Sequence, residues 1–375
     1  MTTHYLVAGA GCAGLSLAHR LSNTELDVSM TLVESRSEYG RDRTWCHWPV
    51  VDHPYDDCVE HEWTSWSVEF DDRRVSQTSS KIPYQMIAPD QFYDKTRDSI
   101  ANDDRIQLNT GSKIMSTKLT KNGIRLITDE TDWEGDWLVD TRPKSPGNGE
   151  LIQHFLGWEI KTERECFDPT TVTLMDFWKQ HHNGVHFVYV LPTALNRALV
   201  EVTWISTGTM DQQEYAEVLE CYLNEKLHVQ DYEVEYTEYG VIPLEHAFEN
   251  YHPERTITMG NRGGATRPST GYTFQGIQRQ VSQFIEQLSE DGSPRPVTVW
   301  SRRALFLDAV FLRLIKHKPE QAPEAFFDLF TSTESEQLVR FLTDGTRPSD
   351  LVSVVGSMPT WPMTKESIRY LFRGL

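Results

Sequence analysis

A glycine pattern near the N-terminus constrains the fold of this chain most strongly. Gly9-Ala10-Gly11-Cys12-Ala13-Gly14 follows an apolar run at residues 5–8 and precedes a stretch with the apolar spacing of a helix. Glycines at these spacings between a strand and a helix are typical of a dinucleotide-binding turn. Gly9 permits the tight turn, Gly11 lets a pyrophosphate approach the backbone, and Gly14 lets the helix pack closely on the strand.

An acidic residue stands where such a unit needs one. Glu34 ends the next apolar run, residues 30–33, twenty positions after Gly14. Its carboxylate is placed to hydrogen-bond a ribose hydroxyl, and its charge disfavours a 2′-phosphate, so NADP is not expected as the resident nucleotide. The alternative is a glycine-rich strand–turn–helix that binds nothing. The strand, helix and acid in register favour the nucleotide site.

Composition limits the partners and the compartment. The 375 residues carry a net charge of −19, which makes nucleic-acid binding unfavourable. The five cysteines are widely spaced and form no C-x-x-C pair, so we expect neither a disulfide framework nor a metal site, and a reducing, cytoplasmic compartment. The apolar stretch 305–315 is too short to span a bilayer. It is either a buried helix, which we favour, or one that lies against lipid.

Helical and strand patterns alternate along the chain and predict an α/β fold with discontinuous lobes. A second Gly-, Ser- and Thr-rich turn at 267–271 precedes an amphipathic helix over 274–288, so nucleotide elements occur at both ends of a β-rich middle. This arrangement suits an FAD-binding protein better than a two-domain dehydrogenase. We assign residues 1–60, 105–150 and 255–300 to a Rossmann-like FAD-binding lobe of the glutathione-reductase type, 61–104 and 151–254 to an interleaved β-sheet substrate lobe, and 301–375 to a helical C-terminal part.

One carboxyl lies in a strand that is apolar on both faces. In the run 199–205, alternation puts Glu201 on one face and Trp204 on the other. Burial of an unpaired carboxylate is costly and raises its pKa, which leaves a neutral acid able to donate a proton. The alternative, which alternation alone slightly favours, pairs Glu201 with a buried arginine or a backbone donor.

Five segments, in order along the chain, carry a family resemblance. They are residues 43–45, residues 84–87 with Phe92, residues 168–176, the run 186–192 followed by 198–203, and residues 263–272. The fourth is similar to a Phe-Val-Tyr-x-Leu-Pro … Leu-Ile-Glu-Asp-Thr segment, and the fifth to a Gly … Pro-Thr-Thr-Gly-Tyr turn. Together they resemble the bacterial lycopene β-cyclase family from about residue 5 to residue 360.

The resemblance implies a flavoprotein that folds the linear ends of lycopene into β-ionone rings. This isomerisation has no net redox change, yet it uses reduced FAD, with NAD(P)H as the electron donor. Glu201 matches the glutamate that the family uses as the acid. The resemblance also implies a lipid-dissolved substrate and a peripheral membrane contact, for which the helix at 305–315 and the loop at 358–362 are candidate surfaces.

The predicted site residues form three sets. Glu201 is the catalytic acid. The cofactor contacts are Gly9, Gly11, Gly14, Glu34, Arg41, Gly260, Gly264, Gly271 and Tyr272. Thr44, Trp45 and Trp204 are predicted to contact substrate, and the two tryptophans would attract a carbocation through their π faces. Aromatic core is the alternative for both.

Two departures from the family pattern leave the substrate open between lycopene and a related polyene. Val202 stands where an acid usually follows the key glutamate, and Gln85 where a basic residue is common. Two other classes also stay open. An FAD monooxygenase or reductase acting on a polyene or isoprenoid commonly carries Gly-Asp where this chain has Gly260-Asn261, and polyene-dependent NADPH oxidation would favour it. A flavin or carotenoid carrier would bind without turnover.

Overall fold

Strands and helices alternate up to about residue 260 of the computed structural model, which describes residues 2–179, 184–245 and 254–357. The helices are α1 (Cys12–Ser22), α2 (Pro89–Ala101), α3 (Gln212–Glu225), α4 (Phe274–Asp291), α5 (Arg302–His317), α6 (Ala322–Ser332), α7 (Ser335–Leu342) and α8 (Pro348–Ser357), with short 3₁₀ turns at Asp56–Cys58 and Pro319–Gln321. The strands are β1 (Thr3–Ala8), β2 (Val28–Val33), β3 (Trp45–His47), β4 (Val59–Trp63), β5 (Ser65–Phe70), β6 (Arg73–Thr78), β7 (Tyr84–Ile87), β8 (Ile106–Asn109), β9 (Ile114–Leu119), β10 (Ile124–Thr128), β11 (Trp133–Gly135), β12 (Trp137–Asp140), β13 (Ile152–Thr162), β14 (Thr171–Asp176), β15 (Val185–Ala194), β16 (Arg197–Ser206), β17 (Tyr232–Pro243) and β18 (Thr256–Thr258).

The parallel sheet expected for a nucleotide unit is present. Its strand order is β18-β12-β1-β2-β8, and each neighbouring pair is parallel. The side chains of β1 are buried on both faces, as parallel strands require. Val7 packs with α1 and α4 on one face, while Leu6 and Ala8 pack with the small antiparallel sheet β11-β10-β9 on the other. This is the predicted Rossmann-like architecture.

A seven-stranded sheet forms the second layer. Its order is β17-β13-β16-β15-β14-β5-β6, antiparallel except for the parallel pair β14–β5. On one face, Val200, Val202 and Trp204 pack against α3. On the other face, Leu199 and Ile205 belong to the core that includes the C-terminal helices. Strand β16 is therefore buried on both faces, as its sequence predicts.

Helix α2 corrects the predicted lobe boundaries. It lies within the segment 61–104 that we assigned to the substrate lobe, but Phe92, Tyr93 and Ile100 pack with α1 and β8 in the core of the five-stranded sheet. The apolar stripe of α2 is covered there and not by the seven-stranded sheet. The strands of both sheets do come from the segments predicted for each lobe, and the division into lobes otherwise stays a prediction.

Helix α5 contains the long apolar stretch, and its apolar side chains are largely internal. Phe311, Leu314 and Ile315 join the core formed with α6 and α7. The buried-helix interpretation is confirmed, and this helix does not provide the apolar surface considered for lipid contact. The loop at 358–362 lies outside the described residues. Within the described ranges, every helix is too short or too polar to reach across a bilayer.

Candidate active site

One cavity of about 960 Å³ connects the glycine turn to the buried glutamate. Gly9 and Gly11 line one end, where the five-stranded sheet meets α1. Glu201 lines the other end, on the inner face of the seven-stranded sheet. A ligand bound at the turn can therefore extend toward the carboxyl without leaving the protein.

The glycine turn has the backbone geometry that its sequence predicts. Gly9 has a φ of +95°, which a residue with a side chain rarely adopts. A Cβ on Gly14 would lie 2.3 Å from the carbonyl oxygen of Gly9, so α1 can approach the strand only without one. Gly11 is the N-cap of α1 and faces the cavity, with no side chain hydrogen-bonded to the first turn. The free N–H groups and the helix dipole there suit a pyrophosphate.

Glu34 lines the same end of the cavity and is fixed by the turn. The Ala10 N–H donates to its Oε2 at 2.8 Å, and the Arg36 N–H donates to its Oε1 at 3.0 Å. Burial alone would raise the pKa of this carboxyl, but hydrogen bonds from the Arg36 and Ala10 backbones and the Arg36 guanidinium hold it below its usual value. Glu34 is therefore an ionised acceptor beside the turn, as ribose binding requires.

The second glycine-rich turn lies next to α1 and lines the same cavity. Gly260 has a φ of +69°, and a Cβ there would come within 3.0 Å of the Ala13 side chain. Gly271 has a φ of +73°, and the Gln153 side chain occupies the space that a Cβ would need. Gly260, Gly271 and Tyr272 all line the cavity. Gly264 instead shapes the turn, since its N–H donates to the Asn261 carbonyl at 3.0 Å.

Arg41, a predicted cofactor contact, lies outside the cavity wall. Its Nε donates to Glu159 at 3.0 Å, its guanidinium also pairs with Glu60, and it stacks on the ring of Tyr236. The buried carboxylate of Glu159 and the partly exposed one of Glu60 hold this arginine at the edge of the seven-stranded sheet. Its contact with the cofactor stays a prediction.

Glu201 projects from β16, between β13 and β15, and is 8% exposed. The Thr203 hydroxyl donates to its Oε1 at 2.8 Å. Its second hydrogen-bond partner is the carboxyl of Glu238. Among the described residues, its partners are thus a hydroxyl and an acid, so the alternative with a buried arginine or a backbone donor is wrong.

Glu238 comes from β17, which is not adjacent to β16. In the register of the sheet, Gly157 of β13 lies directly between Glu201 and Glu238. A Cβ on Gly157 would come within 3.0 Å of the Glu238 Cγ and 3.1 Å of the Leu199 Cδ1. The missing side chain leaves the space in which two carboxyls from next-nearest strands meet.

The two carboxyls influence each other's ionisation. Burial raises the pKa of Glu201 well above its usual value, and the negative charge of Glu238 raises it further. Burial also raises the pKa of Glu238 above its usual value, and hydrogen bonds from Glu201 and from the hydroxyl and N–H of Thr44 offset this only in part. The pKa of Glu201 is raised more strongly, so Glu201 is the proton donor of the pair and Glu238 the acceptor. Thr44, a predicted substrate contact, also lines the cavity.

Aromatic side chains surround the acid end. Tyr189 is opposite Glu201 on β15, and the hydroxyls of Tyr84 and Tyr272 hydrogen-bond to each other. Trp45 also lines the cavity, but its ring packs edge-on against Phe92 in the core of the five-stranded sheet, with ring centroids 5.0 Å apart. The wall is therefore largely apolar, with π faces available to a cation.

Trp204 is not part of this wall. It is 1% exposed on the opposite face of β16, where its ring lies 4.1 Å from that of His186 and 5.4 Å from that of Tyr215 on α3. Its predicted substrate contact is therefore wrong. The alternation that buries Glu201 on the inner face necessarily turns Trp204 to the outer one.

The chain matches one known protein family over nearly its whole length. Residues 5–368 match the family model described as lycopene cyclase protein. The chain belongs to the lycopene cyclase family.

Relatives within the lycopene cyclase family are distant in sequence. The lycopene beta-cyclase of Pantoea ananas is 24% identical over 304 residues, which cover 73% of this chain and 72% of that protein. The chloroplastic/chromoplastic lycopene beta cyclase of Capsicum annuum is 24% identical over 382 residues, which cover 90% of this chain and 74% of that protein. The resemblance inferred from five segments is confirmed.

Solved structures share the fold at low identity. A geranylgeranyl bacteriochlorophyll reductase-like protein from Thermoplasma acidophilum superposes with a TM-score of 0.64 at 12% identity, covering 97% of this chain and 98% of that one. A variant of HpxO from Klebsiella pneumoniae in complex with FAD gives 0.58 at 12% identity, covering 96% and 100%. The predicted FAD-binding fold class is confirmed.

Sequence reasoning missed Glu238 and the tyrosines at positions 84 and 189. Strand β17 carries acids at 233, 235 and 238, and a bulge opposite residues 159 and 160 shifts its phase. Simple alternation therefore does not show which acid faces inward. Tyr84 and Tyr189 do lie inside two of the segments that carry the lycopene cyclase resemblance, which is the signal that could have found them.

Proposed function

We propose that this protein is a lycopene β-cyclase that isomerises the ψ ends of lycopene to β-ionone rings, giving γ-carotene and β-carotene. The observation that carries the proposal is the buried Glu201, whose pKa burial raises, in an aromatic cavity that continues to the glycine turn. A neutral carboxylic acid away from water is suited to protonating an alkene, which is a weak base. The reaction is an isomerisation with no net redox change.

Glu201 begins the reaction by donating its proton to the terminal double bond. The neighbouring alkene attacks the resulting carbocation and closes the ring, and loss of a proton then forms the β double bond. The Thr203 hydroxyl donates to the Glu201 carboxylate left behind. The aromatic faces of Tyr84 and Tyr189 attract the positive charge and exclude water that would trap it.

The cofactor that suits this site is FAD. The Gly9–Gly14 turn, the capless start of α1 and the ionised Glu34 fit a pyrophosphate and a ribose at one end of the cavity. When bound in its reduced, anionic form, FAD would supply negative charge that stabilises the carbocation. We propose NAD(P)H as the source of its electrons.

The substrate would arrive from lipid, since lycopene is a hydrocarbon. A peripheral contact with the cytoplasmic side of a membrane would let the cavity take up this substrate. Val234, Tyr236 and Tyr239 are each about 40% exposed on the edge strand β17 (40%, 45% and 38%), and Tyr239 also lines the cavity. This strand is thus a candidate mouth for a lipid-dissolved polyene.

Expression in cells that accumulate lycopene tests the proposal directly. We expect lycopene to be replaced by products with one or two β rings, identified by chromatography and absorption spectra. Folded, flavin-loaded protein that leaves lycopene unchanged would reject the proposal. NADPH oxidation that depends on an added polyene would instead favour a monooxygenase or reductase.

A further inference from the structure

We propose that Glu238 is the base that removes the proton in the last step, so that Glu201 and Glu238 act as an acid–base pair. This inference rests on the proposed function, because it assigns a residue to a step of that reaction. It means that Glu201 supplies the first proton, Glu238 removes the last one, and the two side chains exchange a proton between turnovers.

The geometry of the sheet brings the two carboxyls to the same place. Glu201 and Glu238 project from β16 and β17 into one cavity, at one register, with Gly157 between them. Both are buried, and they hydrogen-bond to each other. A group at either position therefore reaches the same part of a bound substrate.

The chemistry of ring closure suits two such groups side by side. The carbon that receives the first proton and the ring carbon that loses the last one are both bonded to the same quaternary carbon. An acid and a base that serve these two carbons from the same face of the ring can therefore lie within hydrogen-bond distance of each other. A hydrogen-bonded pair of carboxyls fits this arrangement.

The atoms and electrons balance within the pair. The proton on Glu201 forms a C–H bond with the terminal alkene, and the second alkene supplies the electrons of the new C–C bond. A C–H bond on the ring carbon then breaks, its electrons form the β double bond, and its proton goes to the Glu238 carboxylate. That proton passes across the hydrogen bond to Glu201, which restores the starting state without an oxidant or reductant.

The groups around Glu238 leave it as the proton acceptor at this end of the cavity. The Thr44 hydroxyl and N–H both donate to it, which lowers its pKa and offsets part of the rise that burial causes. Burial raises the pKa of the Tyr189 hydroxyl and of the Cys46 thiol nearby, so these groups stay protonated and are poor bases. Glu34, Asp42 and Asp129 line the cavity too, but Glu34 and Asp42 are engaged around Arg36, and Asp129 caps the Lys113 backbone. Glu238 is therefore the carboxylate available at the acid end.

The test compares Glu238→Gln, Glu238→Asp and the wild type as purified, FAD-loaded protein with lycopene under reducing conditions. Glu233→Gln is the matched control, because Glu233 is an exposed glutamate on the same strand. Each variant is assayed for flavin content, total cyclised product and the position of the ring double bond. We expect Glu233→Gln to match the wild type in all three.

Loss of the base should change the product and not only the rate. In Glu238→Gln, the ring cation should lose its proton from another neighbouring carbon or capture water, so ε, γ or hydroxylated ends replace β ends. If Glu238→Gln forms no rings, the inference requires that Glu238→Asp, which restores a carboxylate, recovers β-ring formation. The inference is rejected if Glu238→Gln gives only β rings at any rate, or if both variants are inactive with flavin bound. A wild type without ring products would instead reject the proposed function.

Discussion

The carboxyls of Glu201 and Glu238 meet above Gly157, although β13 separates the strands that carry them. A side chain on Gly157 would enter the space that the Glu238 stem occupies. The arrangement places an acid beside the aromatic side chains at one end of the cavity. The protonation of this acid can be tested by substitution and by measuring stability as a function of pH.

Replacement of Glu201 by glutamine should abolish ring closure while the fold and the flavin are retained. The amide is similar in shape, but it cannot donate a proton to an alkene. We expect a loss of about 10²- to 10⁴-fold in turnover, the usual contribution of a general acid. Pigment analysis and flavin absorbance measure the two properties separately. Turnover within a few-fold of the wild type would exclude Glu201 as the acid.

The stability of the protein should depend on pH through the same pair. Burial raises the pKa of Glu201, so the folded protein retains a proton that the unfolded chain releases above its ordinary pKa of 4.5. The stability from this difference is fully present below that value and is lost as pH rises through the folded pKa. Glu201→Gln has no such loss, so its Tm relative to the wild type should rise from about pH 5 upward. A constant difference in Tm across this range would contradict the raised pKa.

Gly157→Ala should disturb the pair although neither glutamate is replaced. The added Cβ would lie 3.0 Å from the Glu238 Cγ and 3.1 Å from the Leu199 Cδ1, so both side chains must shift. We expect a stability cost of about 1–3 kcal/mol and a fall in turnover of about 10- to 100-fold. Gly208→Ala is the control, because no atom lies within 4 Å of its added Cβ. Equal activity in Gly157→Ala and Gly208→Ala would argue against a role for the space that Gly157 leaves between the two carboxyls.

Gly14→Ala should weaken FAD binding. Its Cβ would lie 2.3 Å from the Gly9 carbonyl oxygen, so α1 and the turn must separate. Overpacking of about 1–3 kcal/mol corresponds to roughly 5- to 150-fold weaker binding. Flavin titration of the apoprotein measures this, with Gly40→Ala as the control because its Cβ would meet no atom within 4 Å. Unchanged affinity in Gly14→Ala would contradict the proposed cofactor site.

Trp204→Phe should reduce stability and leave product formation unchanged. The indole fills the outer core against His186 and Tyr215 and faces away from the cavity. A smaller ring there leaves a cavity that costs about 1–2 kcal/mol. Thermal unfolding and product ratios test the two statements. An altered product ratio in Trp204→Phe would return this residue to the substrate site.

Much of the fold follows from local patterns in the sequence. The glycine spacing requires the Gly9 turn whatever surrounds it, because only glycine tolerates its φ and the close approach of the helix. Alternation predicts that β16 is buried on both faces and that one carboxyl is buried with it. The same alternation separates Glu201 from Trp204, so the substrate role given to Trp204 conflicted with the strand geometry.

Other features depend on contacts between distant parts of the chain. Arg41 follows the nucleotide unit in sequence, yet Glu60 and Glu159 hold it at the edge of the other sheet. Helix α2 lies among residues of the β-rich segment, but its apolar stripe is covered by α1 and β8. Neither partner can be inferred from the residues themselves, because charge and amphipathicity do not specify which surface they meet.

The sequence by itself therefore determined the dinucleotide turn, the buried strand and the acid on it. These are properties of backbone conformation and period-two alternation within a few residues. Only the tertiary structure decided that Glu238 meets Glu201 across Gly157. That contact requires β17 to pair with β13 in a register that a bulge sets, and cross-strand register is a long-range property that no local pattern contains.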